Sequence, residues 1–453
     1  MLDKATLYAM ANRVWGSAAG LVTILLVGGF FSPELQGYYY TFASLLTLET
    51  LVELGFGSVV QQFASHEWAR IDSEGSPDVR GQAQARLASL LRLALRWYRA
   101  VAVILFLGLG IGGSLYFETF SAGSASPIRW QLVWWAACLA TGAKVLLTPL
   151  FSVLEGINRV HEVYRLRLGQ AVVSRWASWL AILAGGGLWA VPVARVATFL
   201  VGVWGLTRDE LGFFRKLWRK SGEVQETAIS WKKEVWPLQW KFAVSWLGGY
   251  FVFSLFTPVL FAFHGPSVAG QMGMTLSVAA GLSSVAFAVV ATRVPTFAMA
   301  AARRHYRTLD DVFWRATLIS LLIVTLGAGG YWMALYGGRS FGIPLAFRFL
   351  PPLETGLLLF GVILQQLRFA FGSYLRAHKK EPFLMLSVIE AGAAVFFLSL
   401  LGKHYGALGM TGGFLALVVL TLIPGFVIFK RCRAAWHSPN SLGGETLAAE
   451  SVS

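Results

Sequence analysis

Charge is scarce in this chain, and acid is scarcer than base. Asp, Glu, Lys and Arg make up 13% of its 453 residues, against roughly 25% in soluble domains. So few charges cannot cover a water-facing surface. Cysteine is nearly absent too. Cys138 lies in an apolar run and Cys432 in a basic one, so a disulfide framework is excluded, and neither has a metal-ligand partner nearby. No GxxxxGK[ST] loop occurs, which removes nucleotide hydrolysis by that route. The seven histidines form no cluster with carboxylates, so the chain reads as a non-enzyme that needs no metal or cofactor. Gly108, Gly110 and Gly113 spell GxGxxG within an apolar helix, without the strand that a dinucleotide site requires; close helix packing explains them.

What the chain does have is apolar sequence: 56% of its residues are hydrophobic. Stretches of about 20 residues, enough to cross a ~30 Å hydrocarbon core as helix, recur along its length. Twelve are expected, near 10–31, 38–60, 98–117, 130–154, 166–187, 188–206, 242–263, 268–291, 314–335, 352–374, 383–402 and 407–429. With both termini on the cytoplasmic side, about 30 of the 38 Lys and Arg fall inside and about 4 outside (Arg129, Arg339, Arg348 and Lys403). The +15 net charge is then positive-inside bias and attraction to anionic lipid; nucleic acid is not an expected partner.

Outer loops are short, the longest near 336–351, and leave no room for an external catalytic domain. The inner connections 65–97 and 207–241 mix Arg, Lys, Trp and Leu at the spacing of interfacial helices. The first apolar run lacks a small-residue cleavage site and reads as a retained membrane helix. Pro149, Pro192, Pro258 and Pro424 interrupt spans, and Gly248 and Gly249 loosen the seventh; these are the expected joints.

A shift of 233 residues sets SPELQG (Ser32 to Gly37) on GPSVAG (Gly265 to Gly270), sharing x-P-x-x-x-G, and Arg70 on Arg303. Six spans per half return the chain to its starting side, so the halves should be parallel copies about an axis along the membrane normal. The expected fold is all-α integral membrane, with twelve transmembrane helices in two parallel six-helix bundles around a central cavity. The bundles cover 1–206 and 242–430, a cytoplasmic basic connector covers 207–241, and a cytoplasmic polar tail covers 431–453.

The opening segment RVWGSAAGLVTILLVGGFFSPELQGYYYTFASLLTLETLVELGFGSVVQQFASHEW, above all SPELQGYYYTF and ELGF, resembles the start of bacterial polysaccharide flippases of the multidrug, oligosaccharidyl-lipid and polysaccharide exporter superfamily. The resemblance implies a flippase of the bacterial inner (plasma) membrane. Its substrate would be an O-antigen or similar repeat unit on undecaprenyl pyrophosphate, carried to the periplasmic leaflet by alternating access for lipopolysaccharide or other surface polysaccharide synthesis. It also implies a cationic cavity, membrane lipids as surroundings, and a polysaccharide polymerase as a candidate partner. The alternative is a cation-coupled multidrug exporter of the same superfamily, which would prefer interior acids.

Interior charges carry the site reading. Lys144 is the only charge between Arg129 and Glu155, and Thr141, Thr148, Ser152 and Glu155 recur on its helical face. Arg175, Arg195 and Arg368 are further cations within spans, with Gln365 one turn before Arg368. Arg175 falls nearer the cytoplasmic end of its expected span, where arginine can also snorkel. A charge at mid-bilayer costs about 2.5–3.5 kcal/mol and faces a bundle interior or wet cavity. The four cations, Gln365 and Thr148 are therefore candidates to hold a pyrophosphate or acidic sugar; the other reading makes each cation a structural bridge to a glutamate. Glu49 and Glu53, four apart, and Glu390 are candidates for a proton or sodium site, or for neutralising those cations.

Overall fold

The structure is a computed structural model that describes residues 4–53, 55–72, 77–121, 128–219, 229–236, 239, 254–378 and 380–437. Among these the secondary structure is entirely helix and turn. Eight helices are long and apolar enough to cross a membrane, or nine if the bent pair Pro33–Leu51 and Phe56–Asp72 counts as one span. The chain is a multi-pass membrane protein. Gly248 and Gly249, residues 242–253 of the expected seventh span, much of the connector and residues 438–453 of the tail lie outside the described residues.

Met1–Gly273 and Met274–Ser453 form separate compact units. In the first, α1 (Lys4–Phe30) leads to α2 (Pro33–Leu46), capped by the Ser32 side chain on the Leu35 N–H. After the single turn α3 (Glu49–Val52) the chain breaks at Gly55 (φ 65°) and resumes as α4 (Phe56–Asp72). Then follow α5 (Pro77–Ser121), α6 (Gln131–Val145), α7 (Thr148–Gly156), α8 (Val160–Leu183), α9 (Ala190–Gly205) and α10 (Leu211–Arg219). Gly185 and Gly187, both at positive φ, make the tight turn expected between the fifth and sixth spans, where any Cβ would be strained. Val59, Val60, Leu87, Leu91, Tyr98, Val153 and Leu154 form the buried core between α4, α5 and α7.

Part of the basic charge of this unit is taken up by ion pairs. Arg86 spans Glu67 (2.9 Å) and Glu234 (2.8 Å), Arg167 meets Glu155 at 2.7 Å, and Arg159 pairs with Glu210. The Arg86 guanidinium and the Ser230 N–H hold the Glu234 carboxyl below its ordinary range, against the opposing effect of burial.

The second unit begins within α11 (Phe256–Ala291), which folds at Gly265 (φ 84°), and continues through α12 (Val294–Ala302), α13 (Tyr306–Ser340), α14 (Pro352–Arg376), α15 (Leu384–Ala393) and α16 (Ser399–Trp436). The last two expected spans run together as Leu384–Trp436, broken by non-helical Gly406. Phe313, Phe371, Tyr374 and Phe429 pack its core. His378 and His437 meet just past the C-terminal ends of α14 and α16, Nε2 to Nε2 at 3.4 Å. Burial lowers both imidazoles below their usual range, so the pair is neutral at pH 7.

Two of the prolines expected as joints are placed otherwise. Pro192 and Pro258 sit within the first three residues of α9 and α11, where a missing N–H costs nothing and the fixed φ suits the helix. Pro149 does interrupt its span: α6 ends at Val145 and α7 restarts at Thr148, with the proline in its first turn. Pro424 lies deep in a helix. Further breaks fall at glycines at positive φ, Gly55, Gly265 and Gly406.

The two repeat motifs touch. A Cβ on Gly37 would fall 1.9 Å from the Pro266 carbonyl oxygen, and one on Gly270 would fall 2.8 Å from the Gly37 nitrogen. Gln36 donates to the Gly270 carbonyl (2.8 Å) across the same seam. Gly37 therefore lies against Gly270, the residue that the shift of 233 sets opposite it. Overpacking typically costs 1–3 kcal/mol, so Gly37→Ala should lower both yield and melting temperature in detergent. Gly16→Ala, whose Cβ would meet nothing within 4 Å, should change neither; equal behaviour of the two variants would show that the seam is loose.

Candidate functional site

The break at Gly55 presents both carboxylates of TLETLVELGF near the end of one helical segment and gives them different partners. Glu49 accepts from Lys144 Nζ at 2.7 Å through one oxygen and from Arg195 Nη1 at 2.8 Å through the other. These side chains are 12%, 38% and 18% exposed, so α3, α6 and α9 are tied by two cations around one anion, leaving one positive charge in surplus. Glu53 turns away and accepts from the Tyr98 hydroxyl at 2.6 Å. Gly57 makes room for that contact: a Cβ there would sit 2.9 Å from Glu53 Oε1, 3.1 Å from Ser152 Oγ and 3.2 Å from Tyr98 Oη.

The polar stripe of the fourth span is divided. α6 ends at Val145 and α7 starts at Thr148, so Lys144 stands in a last turn. Thr141 is buried with its hydroxyl on the Ala137 carbonyl, Ser152 is buried beside Gly57, Thr148 is half-buried, and Glu155 serves Arg167.

Arg175 differs from the other three cations. Among the described residues it has no carboxylate partner, and it is half-buried. It faces Tyr39 of α2, whose hydroxyl bonds to Ser178. Because α8 starts at Val160, Arg175 stands 15 residues in, about 22 Å along a helix that ends 8 residues later. It thus lies past the midpoint of α8, toward the Gly185 turn. Trp15 Nε1 to the Ala171 carbonyl (3.2 Å) and Trp179 Nε1 to Thr23 Oγ1 (2.9 Å) fix this part of α8 on α1.

In the second unit Arg368 pairs with Glu390 and reaches Thr421 Oγ1 at 3.4 Å. Gln365, 4% exposed, lies one turn earlier; its Oε1 and that of Glu390 are buried without a hydrogen-bond donor. Gln366, missed from sequence, bonds to Ser320 (2.8 Å) and accepts from Ser283 (3.3 Å), linking α14 to α13 and α11. Tyr98 and Gly57 were also missed. Tyr98 has a visible signal as a hydroxyl at the start of an apolar run, whereas Gly57 has none.

The described residues thus hold a half-buried arginine without a carboxylate partner and two cations on one glutamate beside a helix break. No family model matches the sequence, and no curated protein matches it. Solved structures do resemble it. An inward-facing multidrug resistance MATE family transporter of the MOP superfamily aligns over 95% of each chain with TM-score 0.64 and 14% identity. The MATE multidrug transporter DinF-BH aligns over 95% of each chain with TM-score 0.60 and 14% identity. The lipid II flippase MurJ, in an inward closed conformation, aligns over 94% of this chain and 87% of its own with TM-score 0.56 and 12% identity. The chain has the fold of these transporters.

Proposed function

We propose that this chain is a flippase of the bacterial inner membrane, moving an oligosaccharide linked to undecaprenyl pyrophosphate from the cytoplasmic to the periplasmic leaflet by alternating access. Twelve spans in two six-helix bundles, 1–206 and 242–430, joined by the connector 207–241 and with both termini cytoplasmic, are the architecture of this reading. The observation that carries it is Arg175, a half-buried cation without an acid among the described residues, since an isolated charge in a bilayer is costly unless a counter-charge visits it. The surplus positive charge of the Glu49 triad supports the same sign of cargo. Glu53, held by a neutral phenol, is the carboxylate free to exchange a proton or sodium ion and couple transport. A surface polysaccharide polymerase is the partner that would consume the product.

A multidrug exporter would need acids for cationic cargo, yet Glu49 and Glu390 are each held by arginine or lysine. Reconstituted vesicles decide between them. The protein should carry an undecaprenyl-pyrophosphate oligosaccharide across the bilayer and leave a cationic dye undisturbed. Dye extrusion with no lipid-linked sugar transport would reject the flippase.

A further inference from the structure

Between α6, α8 and α9 runs a recess of about 540 Å³. Ala136, Ala140 and Ala143 of α6 supply small residues along it, and Trp189, Val196 and Leu200 are among its larger apolar residues. All twelve lining side chains are apolar. Trp189 to Leu200 spans eleven residues, about 16 Å at helical rise, or roughly half of a ~30 Å hydrocarbon core. Leu139 and Leu200 are 60% and 57% exposed, so the recess is open along its side and a chain can enter laterally.

Its flanks carry the charge described above. Ala143, a lining residue, immediately precedes Lys144, and Val196 immediately follows Arg195. Both cations share the one carboxylate of Glu49, so an apolar groove lies beside a surplus positive charge. A zwitterionic phospholipid does not answer that charge, whereas a prenyl diphosphate does, with its hydrocarbon and its anion on one molecule.

We propose that this groove holds part of the polyprenyl chain of the lipid-linked substrate while its diphosphate lies toward Lys144 and Arg195. The inference rests on the flippase reading. It makes the groove a second determinant of substrate choice, selecting the carrier lipid where the interior cations select the anion.

The test uses the purified full chain in nanodiscs and follows tryptophan fluorescence, since Trp189 lines the groove. Undecaprenyl diphosphate and inorganic diphosphate are the probes. Ala143→Phe and Ala197→Phe, at half-buried positions, should weaken undecaprenyl diphosphate binding at least tenfold and leave inorganic diphosphate unchanged. Leu139→Ala, on the exposed wall, should weaken the prenyl probe about threefold and guards against a filling variant that fails to fold. Unchanged prenyl affinity in all three overturns the groove while the flippase reading stands. Displacement of the probe by equimolar phosphatidylglycerol makes the occupant an ordinary phospholipid and overturns it too. Failure of the wild-type chain to bind either probe removes both readings together.

Discussion

Arg175→Ala should abolish export of surface polysaccharide while protein abundance in the membrane stays normal. No carboxylate is left unpaired by the change, because none pairs with Arg175 among the described residues, so the fold has little to lose. A hydrogen bond to a charged group is worth about 1.5–3 kcal/mol, and loss of one such contact to a diphosphate lowers transport roughly 10- to 100-fold. Arg175→Lys should keep a measurable fraction, since the charge survives although the planar fork is gone. Normal export by a stable Arg175→Ala protein would remove the observation on which the proposed function stands. A loss of abundance matching the loss of export would assign the arginine to assembly instead.

Glu49→Gln should have the opposite signature, a fall in abundance before any effect on transport can be read. It leaves Lys144 and Arg195, which lie 95 and 146 positions from Glu49 along the chain, without the carboxylate they share. Breaking a buried pair from one side costs about 3–5 kcal/mol; the lower end applies here, since the Lys144 side chain is 38% exposed. Lys144→Met alone leaves Glu49 and Arg195 paired one to one, so that protein should accumulate normally. Adding Lys144→Met to Glu49→Gln should recover part of the lost abundance, a non-additivity that a double-mutant cycle measures directly. Additive losses would show that the lysine and the glutamate act apart.

These two expectations divide a set of cations that were equivalent in the sequence. Lys144, Arg175, Arg195 and Arg368 each appear as one charge in an apolar run, and the pattern places each one only on the face of its own helix. Whether a cation meets an acid depends on the rotation and depth of a different helix, which no local spacing encodes. Lys144 had the more visible signal, a stripe of hydroxyls at helical intervals, yet the helix breaks at Leu146 and its charge is shared with Glu49. Arg175 had the weaker signal and, of these four, is the one without an acid among the described residues.

Helix breaks divide along the same line. Proline is conspicuous in an apolar run, and at Pro149 it does follow a break in the helix, but at Pro192 and Pro258 it lies in a first turn that accommodates it. Gly55, Gly265 and Gly406 turn the chain instead. In a sequence with 48 glycines, nothing local distinguishes these three from those that only let helices approach.

The sequence by itself determined the class of protein. A chain with 13% charged residues and recurrent apolar runs must satisfy its backbone within helices and leave its surface to lipid, whatever the packing. It also carried the matched x-P-x-x-x-G stretches, in which a proline opens a helical segment directly after Ser32 and after Gly265. Only the tertiary structure decided that Gly37 lies against Pro266 and Gly270, that one glutamate holds two cations, and that Arg175 has no acid among the described residues. Those are contacts between residues up to 233 positions apart, and their energies depend on how helices are rotated and sunk against one another, a choice that hydrophobic burial leaves open and close packing settles.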